Sequence, residues 1–159
     1  AMPGTRPHLF VFAVTKAELP EARGRATVDW ALIQSAKEAV NQAIEAARND
    51  GLVKGTLSAE VALYADGPVF EALATLGDEL RFVTITSEVS LHKLSDAPSG
   101  ALTHTACPQL SVVVSATSSE KCERCWHHRP DVGTVSEHPT LCARCVDNVE
   151  GLGEERTFA

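Results

Sequence analysis

The sequence has few aromatic residues and no long apolar run. Phe, Trp and Tyr make up 5% of the 159 residues. No stretch reaches the roughly 20 consecutive apolar residues that cross a bilayer, and the opening AMPGTR lacks the charged-then-apolar layout of a secretory signal. We therefore expect a cytoplasmic protein with no membrane partner.

Recognisable catalytic motifs are also missing. The sequence contains no GxxxxGK[ST] phosphate loop, no GxSxG nucleophile elbow and no HExxH helix. Its carboxylates are numerous, but none can be singled out as a catalytic pair. The residues themselves therefore predict no catalytic site.

Positive charge is in short supply. The net charge is −7, so the overall field repels nucleic acid at long range and any contact with it would have to be local. One stretch, KCERCWHHR at 121–129, is locally basic. It contains three cations, one carboxylate and two histidines that could add charge below neutral pH: Lys121, Arg124, Arg129, Glu123, His127 and His128.

Four of the five cysteines form two CxxC doublets, Cys122 with Cys125 and Cys142 with Cys145. Each doublet can present two thiolates from a tight knuckle, and two knuckles complete a tetrahedral zinc site. Disulfides are the alternative, but the doublets and the lack of a secretory signal favour metal. The fifth cysteine, Cys107, is expected to be an ordinary, partly buried thiol.

A shell of four thiolates is closed, which predicts one structural Zn²⁺ and no metal-bound water for hydrolysis. His127, His128 or His138 could replace one thiolate, and iron could load in place of zinc. The segment between the doublets is too small and polar to form a core, so we expect it to unfold without metal.

Trp126 follows the first doublet directly, and its position leaves two interpretations open. It could cover a small core over the zinc, or it could be an exposed surface on which an unpaired base stacks. Arg124 and Arg144 hold the same third position of each doublet, so both are expected at the tips of the knuckles. Their simplest role is as solvated surface residues.

A long helix is predicted from Val28 to Asn49, with Thr27 as its cap and Gly51 in a left-handed C-terminal turn. Lys37 interrupts its apolar stripe. The stripe, predicted to be buried, consists of Trp30, Ile33, Val40, Ile44 and Ala47.

Strands and a second helix should follow. Apolar residues alternate over 57–65, which predicts a half-buried strand. Gly67-Pro68 should then begin a short helix with Phe70, Leu73, Leu76 and Leu80 on its inner face. Three further predictions are strands at 81–86 and 110–115 and a surface loop at 94–108. The apolar run 8–14 could be another strand.

These elements predict an α+β fold in which a long and a short helix pack on a small sheet, followed by a C-terminal zinc-ribbon-like module. The expected division is a poorly defined extension at 1–25, a small α/β layer at 26–118 and a zinc-binding module at 119–159.

Several details of the last segment are distinctive: Trp126 after CxRC, Asp131-Val132-Gly133, a second CxRCV doublet and the ending Phe158-Ala159. With them, the segment resembles the carboxyl-terminal zinc module of bacterial isoleucyl-tRNA synthetase. The resemblance covers most of residues 26–159. Upstream it includes Trp30 and the segments 38–41, 44–48, 57–61 and 76–83.

The resemblance implies the tail of a class I aminoacyl-tRNA synthetase, which joins isoleucine to its tRNA using ATP and Mg²⁺. The HIGH and KMSKS signatures of that class do not occur, so the fragment is expected to be non-catalytic. The helical anticodon-binding bundle that precedes this segment in the family is also missing.

The family's zinc module reaches the anticodon side of the isoleucine-specific tRNA, and the parent is expected to be a monomer. The positions that match its RNA-contacting residues are Arg124 and Trp126. Those that match its zinc ligands are Cys122, Cys125, Cys142 and Cys145.

Two other functions remain open. A DNA repair glycosylase can carry a terminal zinc finger of similar spacing and use an amino-terminal proline as nucleophile. Pro3 invites that comparison, but Gly4 stands where an acidic residue is expected, Ala1 would block the amine, and the chain is short for that fold. The third possibility is a free-standing zinc-stapled module that binds other proteins.

Overall fold

The computed structural model describes residues 28–105 and 107–159, so the expectations for 1–25, the run 8–14 and the cap Thr27 lie outside the described residues. In chain order, the helices are α1 (Trp30–Asn49), α2 (Gly67–Leu76), α3 (Leu80–Thr84) and α4 (Ala143–Glu150). The strands are β1 (Ala59–Ala65), β2 (Glu88–Lys93), β3 (Leu102–His104) and β4 (Cys107–Ala116).

The four strands form one mixed sheet in the order β2-β1-β4-β3. β1 and β2 are parallel because α2 and α3 carry the chain back between them, and β4 is antiparallel to both β1 and β3. Val61 of β1 lies opposite Val89 of β2 and Val114 of β4, which aligns the apolar residues on one face. The predicted α+β class is confirmed.

Helix α1 begins at Trp30, two residues later than the predicted Val28, because Asp29 is its N-cap, and it ends at Asn49 as predicted. The carboxylate of Asp29 accepts hydrogen bonds from two first-turn backbone N–H groups, at 3.1 and 3.2 Å. At the other end Gly51 adopts a left-handed φ of 74°, as predicted. The backbone N–H of Leu52 then donates to the carbonyl of Ala47 at 2.8 Å, which closes a Schellman turn.

The core lies between the helices and one face of the sheet. Strand β1 alternates between buried and half-buried residues over its whole length, as its sequence pattern predicts. Helix α2 packs as expected through Leu73 and Leu76, with Phe70 partly buried, whereas Leu80, predicted on the same helix, is buried at the start of α3. The largest fully buried apolar side chains of this core are Ile33, Val40, Ile44, Leu63, Leu73, Leu110 and Val112.

Trp30 was expected in the buried stripe of α1, and this prediction is wrong because its side chain is 45% exposed. Trp30 is the first residue of the helix, and the buried face begins only at Ile33. Alanines at 36, 39 and 43 are buried there as well.

The strand predicted at 81–86 is also wrong. Residues 80–84 form helix α3, and the second strand of the sheet lies later, at Glu88–Lys93. The β-branched residues here favour a strand on propensity alone, but tertiary packing overrides that preference. In α3 the hydroxyl of Thr84 instead donates to the backbone carbonyl of Leu80 at 3.0 Å.

The segment 94–108, predicted as a loop, contains a short 3-10 turn at Leu94–Asp96, strand β3 and the first residues of β4. β3 has only three residues and lies at the edge of the sheet, so it carries little periodic signal. The strand predicted at 110–115 is confirmed and is longer, running from Cys107 to Ala116. Among the described residues no helix is both long and apolar enough to cross a membrane.

Truncation of the core should be far more costly than truncation at the surface. Leu63 is 0% exposed, so Leu63→Ala should lower the free energy of unfolding by about 2–5 kcal/mol through lost burial and the remaining cavity. Leu52 is 51% exposed, and Leu52→Ala should cost about 0.5 kcal/mol or less. Urea denaturation of both variants measures the difference, and equal costs would contradict the packing described here.

Candidate metal centre

The first doublet is held by a small hairpin. Lys121 and His128 form an isolated antiparallel bridge, and the backbone N–H of Cys122 donates to the carbonyl of His127 at 2.9 Å. The chain turns between them at Trp126, whose N–H donates to the carbonyl of Cys122 at 2.9 Å. Trp126 has a left-handed φ of 67°, which is uncommon for a residue other than glycine. The turn brings the sulfur atoms of Cys122 and Cys125 to one side.

The second doublet begins helix α4. Cys142 is the residue before the helix, and Cys145 lies within its first turn, where its N–H donates to the carbonyl of Cys142 at 2.9 Å. Asp131 supports this start because its carboxylate accepts a hydrogen bond from the backbone N–H of Ala143 at 3.2 Å. A carboxylate at the first turn also suits the positive end of the helix dipole.

The two doublets converge. The four Sγ atoms of Cys122, Cys125, Cys142 and Cys145 all lie within 4.8 Å of one another. A tetrahedron with Zn–S bonds of 2.3 Å has sulfur atoms about 3.8 Å apart, and the separation between Cys125 Sγ and Cys142 Sγ is 3.8 Å. Three of the four residues are buried. The cluster therefore fits one tetrahedral zinc ion.

Hydrogen bonds to the sulfur atoms suit thiolate ligands. Burial alone would raise the pKa of Cys122, but the backbone N–H groups around it, chiefly those of Cys125 and Cys142, lower that pKa to about 6. Arg124 Nη1 lies 3.7 Å from Cys145 Sγ, where it can donate to the sulfur. Cys142 differs, since burial raises its pKa to about 12. A bound cation would offset that cost of ionising it.

No histidine joins this cluster, and the part of the chain that the structure describes holds no second group of this kind. His138 Nε2 lies 2.6 Å from a carboxylate oxygen of Glu150. His128 Nδ1 lies 2.8 Å from the backbone carbonyl oxygen of Ser119. His127 was expected to add charge below neutral pH, but burial and the nearby Arg144 and Arg81 lower its pKa to about 4.

The two residues proposed from the resemblance to contact RNA are both exposed. Trp126 is 60% exposed, so it does not cover a core, and Lys121 Nζ lies 5.2 Å from the centre of its ring. Arg124 is exposed beside it on the same knuckle. Arg144 differs from the expectation, because its side chain is largely buried and forms an ion pair with Glu154 at 2.8 Å.

Arg144 belongs to a cluster that joins the zinc module to the α/β layer. The guanidinium groups of Arg81, Arg144 and Arg156 lie 4.6, 5.1 and 3.9 Å from the centre of the Phe82 ring. Glu154 pairs with both Arg144 and Arg156, which limits their mutual repulsion. The local sequence around Phe82 contains no signal of its contacts with Arg144 and Arg156, because these two residues lie more than sixty positions away.

The last residues of the sequence bind back to the layer through Glu79. Its carboxylate accepts backbone hydrogen bonds from Thr157, Phe158 and Ala159 at 2.6, 2.6 and 2.7 Å. Burial opposes ionisation, but these three donors and Arg156 together outweigh it and lower the pKa of Glu79 below its ordinary value. Phe158 packs against the main core.

The module has the sequence of a known class of zinc finger. Residues 119–148 match the family described as "Zinc finger found in FPG and IleRS". Together with the four-cysteine cluster, this match identifies a structural zinc as the cofactor of the module.

The similarity to known proteins extends well beyond the finger. Over 130 residues, 82% of this chain, the sequence is 52% identical to the isoleucine–tRNA ligase of Shewanella sp. strain MR-7. It is 53% identical to that of Shewanella oneidensis and 55% identical to that of Alcanivorax borkumensis over the same length. The chain therefore belongs to the bacterial isoleucyl-tRNA synthetase family. It spans 14% of the length of these curated relatives.

Replacing one clustered thiol should abolish tight zinc binding. Cys142→Ala leaves three thiolates, so we expect the protein to lose its single zinc and the segment 119–159 to lose protection from amide hydrogen exchange. The α/β layer should stay protected, because its core is separate.

Cys107→Ala is the matched control, since Cys107 is a buried thiol of the main core. Its zinc content, measured by release to a colorimetric chelator, should stay at one ion per chain. Full zinc content in Cys142→Ala would contradict the site.

The anchor at Glu79 should depend on pH. The pKa of Glu79 is lower in the folded protein than in the unfolded chain. The ionised carboxylate therefore stabilises the fold at pH values above its unfolded pKa, and this stabilisation is lost as the pH falls through its folded pKa. At neutral pH, Glu79→Gln should speed amide hydrogen exchange at Thr157–Ala159. The difference from the parent protein should shrink in acid, whereas a difference independent of pH would contradict the role of the carboxylate.

Proposed function

We propose that this chain is the C-terminal, anticodon-side tRNA-binding region of an isoleucine–tRNA ligase, and that the fragment itself is non-catalytic. The activity of the parent, ATP-dependent attachment of isoleucine to tRNA in the cytoplasm, belongs to this proposal. Cys122, Cys125, Cys142 and Cys145 are the proposed ligands of its structural zinc.

The observation that carries the proposal is the exposure of Trp126. An aromatic side chain that is 60% exposed on a hydrogen-bonded turn offers a face on which an unpaired base can stack. A tryptophan needed only for packing in so small a module would be expected to be buried. Lys121 and Arg124 next to it supply positive charge for neighbouring phosphates.

Charge limits this binding to a local contact. The chain as a whole carries −7, so the finger must act against a repulsive field. We expect the isolated chain to bind tRNA weakly and with strong salt dependence. Most of the affinity of the parent would come from the rest of its length.

The similarity outside the finger favours the ligase over a DNA glycosylase. The finger family includes both kinds of protein, but it covers only residues 119–148. The ligases match 130 residues at 52–55% identity, so the α/β layer is related to them as well. A free-standing protein-binding module has no comparable observation in its favour.

Trp126→Ala tests the proposed stacking. The zinc-loaded chain should bind an isoleucine tRNA transcript, and the variant should lose about 1–3 kcal/mol of binding free energy, which is roughly 5- to 150-fold in affinity. Binding is measured by fluorescence titration at two salt concentrations, with native and altered anticodons. The native anticodon should bind more tightly than the altered one, and Trp126→Ala should remove that preference.

Two controls separate stacking from loss of fold. Trp126→Phe keeps an aromatic face and should retain most of the affinity, whereas Trp30→Ala removes the other exposed tryptophan, on α1, and should have no effect. If all anticodons bind equally to the parent protein and to Trp126→Ala, base recognition by this residue is excluded. If no variant or parent binds tRNA at all, the proposal for the isolated chain fails.

A further inference from the structure

The three residues after Trp126 are tied to the α/β layer, although Trp126 itself is exposed. The His127 ring packs edge-on against Phe82 with ring centres 6.0 Å apart. The backbone N–H of His128 donates to Ser87 Oγ at 2.7 Å. Arg129 Nη1 donates to the backbone carbonyl of Ser87 at 3.2 Å. The returning limb of the knuckle is therefore fixed to the loop between α3 and β2.

Ser87 is the centre of this connection. It is 0% exposed, and each of its polar groups has a partner. Its hydroxyl donates to the backbone carbonyl of Leu57 and accepts from His128, while its N–H donates to the carbonyl of Ala59 at 3.3 Å. One buried serine thus joins the start of β1, the loop before β2 and the zinc module.

Glu88 provides a second connection beside the first. Its carboxylate pairs with Arg129, whose own backbone N–H donates to the carbonyl of Glu120 at 2.9 Å. Asp131 lies 3.8 Å from the same guanidinium group. Both limbs of the hairpin that carries Trp126 are therefore connected to the sheet through one arginine and one serine.

We propose that Ser87 and Glu88 are positioning residues, which fix the direction and restrict the motion of the Trp126 ring through the segment 127–129. The effect on RNA binding rests on the function proposed above for Trp126. The restriction of the Trp126 ring by Ser87 and Glu88 does not depend on that function. An exposed ring is held mainly through its own backbone. The nearest fixed points of that backbone are the zinc cluster on one side and Ser87 on the other.

The zinc cluster and the hairpin hydrogen bonds hold residues 127–129 to the first doublet, but they would leave the knuckle as a whole able to turn relative to the layer. A stacking surface that moves freely pays an ordering cost in entropy when it binds a base. Restriction by Ser87 and Glu88 removes part of that cost before binding. The connection should therefore affect tRNA affinity without any contact between these two residues and RNA.

The test uses the zinc-loaded full chain with Trp30→Phe, so that Trp126 is its single tryptophan. In this background, Ser87→Ala should lower the nanosecond residual fluorescence anisotropy of Trp126 and weaken tRNA binding about 2- to 10-fold, as expected for loss of the hydrogen bond from His128, the one bond of this hydroxyl that reaches the zinc module. Zinc content should remain one ion per chain. Ser111→Ala is the matched control, because Ser111 is another buried serine whose hydroxyl is bonded within the sheet, to Thr103 at 2.8 Å. It should change neither the anisotropy nor the affinity.

Glu88→Ala is a second test variant of the same inference. Because the Glu88 side chain is half exposed, this variant should fold even if Ser87→Ala does not. If Glu88 acted only through its negative charge, its removal would strengthen phosphate binding and leave the mobility of Trp126 unchanged. A positioning role predicts instead that the anisotropy of Trp126 falls. Unchanged anisotropy in the folded variants would overturn the inference. If the variants lower the anisotropy of Trp126 but the protein without these substitutions does not bind tRNA, the positioning role is supported and the proposed function is rejected.

Discussion

Convergence of four thiols on one point is the constraint on which the last quarter of the chain depends. The cluster of Cys122, Cys142 and Cys145 is the buried centre of the module, and within the described part of the chain the apolar residues packed around it are Cys125, Val132 and Leu141. So small an apolar cluster cannot offset the conformational entropy of about forty residues. Metal binding must therefore supply the folding free energy of this part, as in other small zinc modules.

The fixed position of the knuckle depends on contacts outside the zinc cluster. Ser87 and Glu88 hold the limb that follows Trp126, while the Arg144 and Arg156 side chains lie on Phe82. These contacts join the module to the layer through polar and cation–π interactions, which demand specific geometry more than apolar packing does. A module docked in this way can present an exposed ring in a defined direction, which suits recognition of one partner.

The acidic character of the chain and its proposed partner are compatible when charge is considered locally. Several arginines of the module are already paired or stacked within the protein, notably Arg129 with Glu88 and Arg144 with Glu154. Lys121 and Arg124 stay at the surface beside Trp126, and Arg124 remains exposed although one of its nitrogens lies where it can donate to Cys145 Sγ. A small cationic and aromatic surface on an acidic protein favours a short, specific contact over general attraction to phosphate.

The sequence alone determined the parts that depend on local or periodic signals. The CxxC spacing predicted the zinc cluster, alternation predicted β1, and Gly51 predicted the left-handed end of α1. Residues 81–86 were predicted wrongly because β-branched residues favour strands, whereas the parallel partner of β1 is Glu88–Lys93. Trp126 could be buried or exposed on sequence grounds, and only the tertiary structure decided that it is exposed. Contacts such as that of Ser87 with His128, forty-one residues apart, have no local signal, because they depend on how two separately stabilised parts pack together.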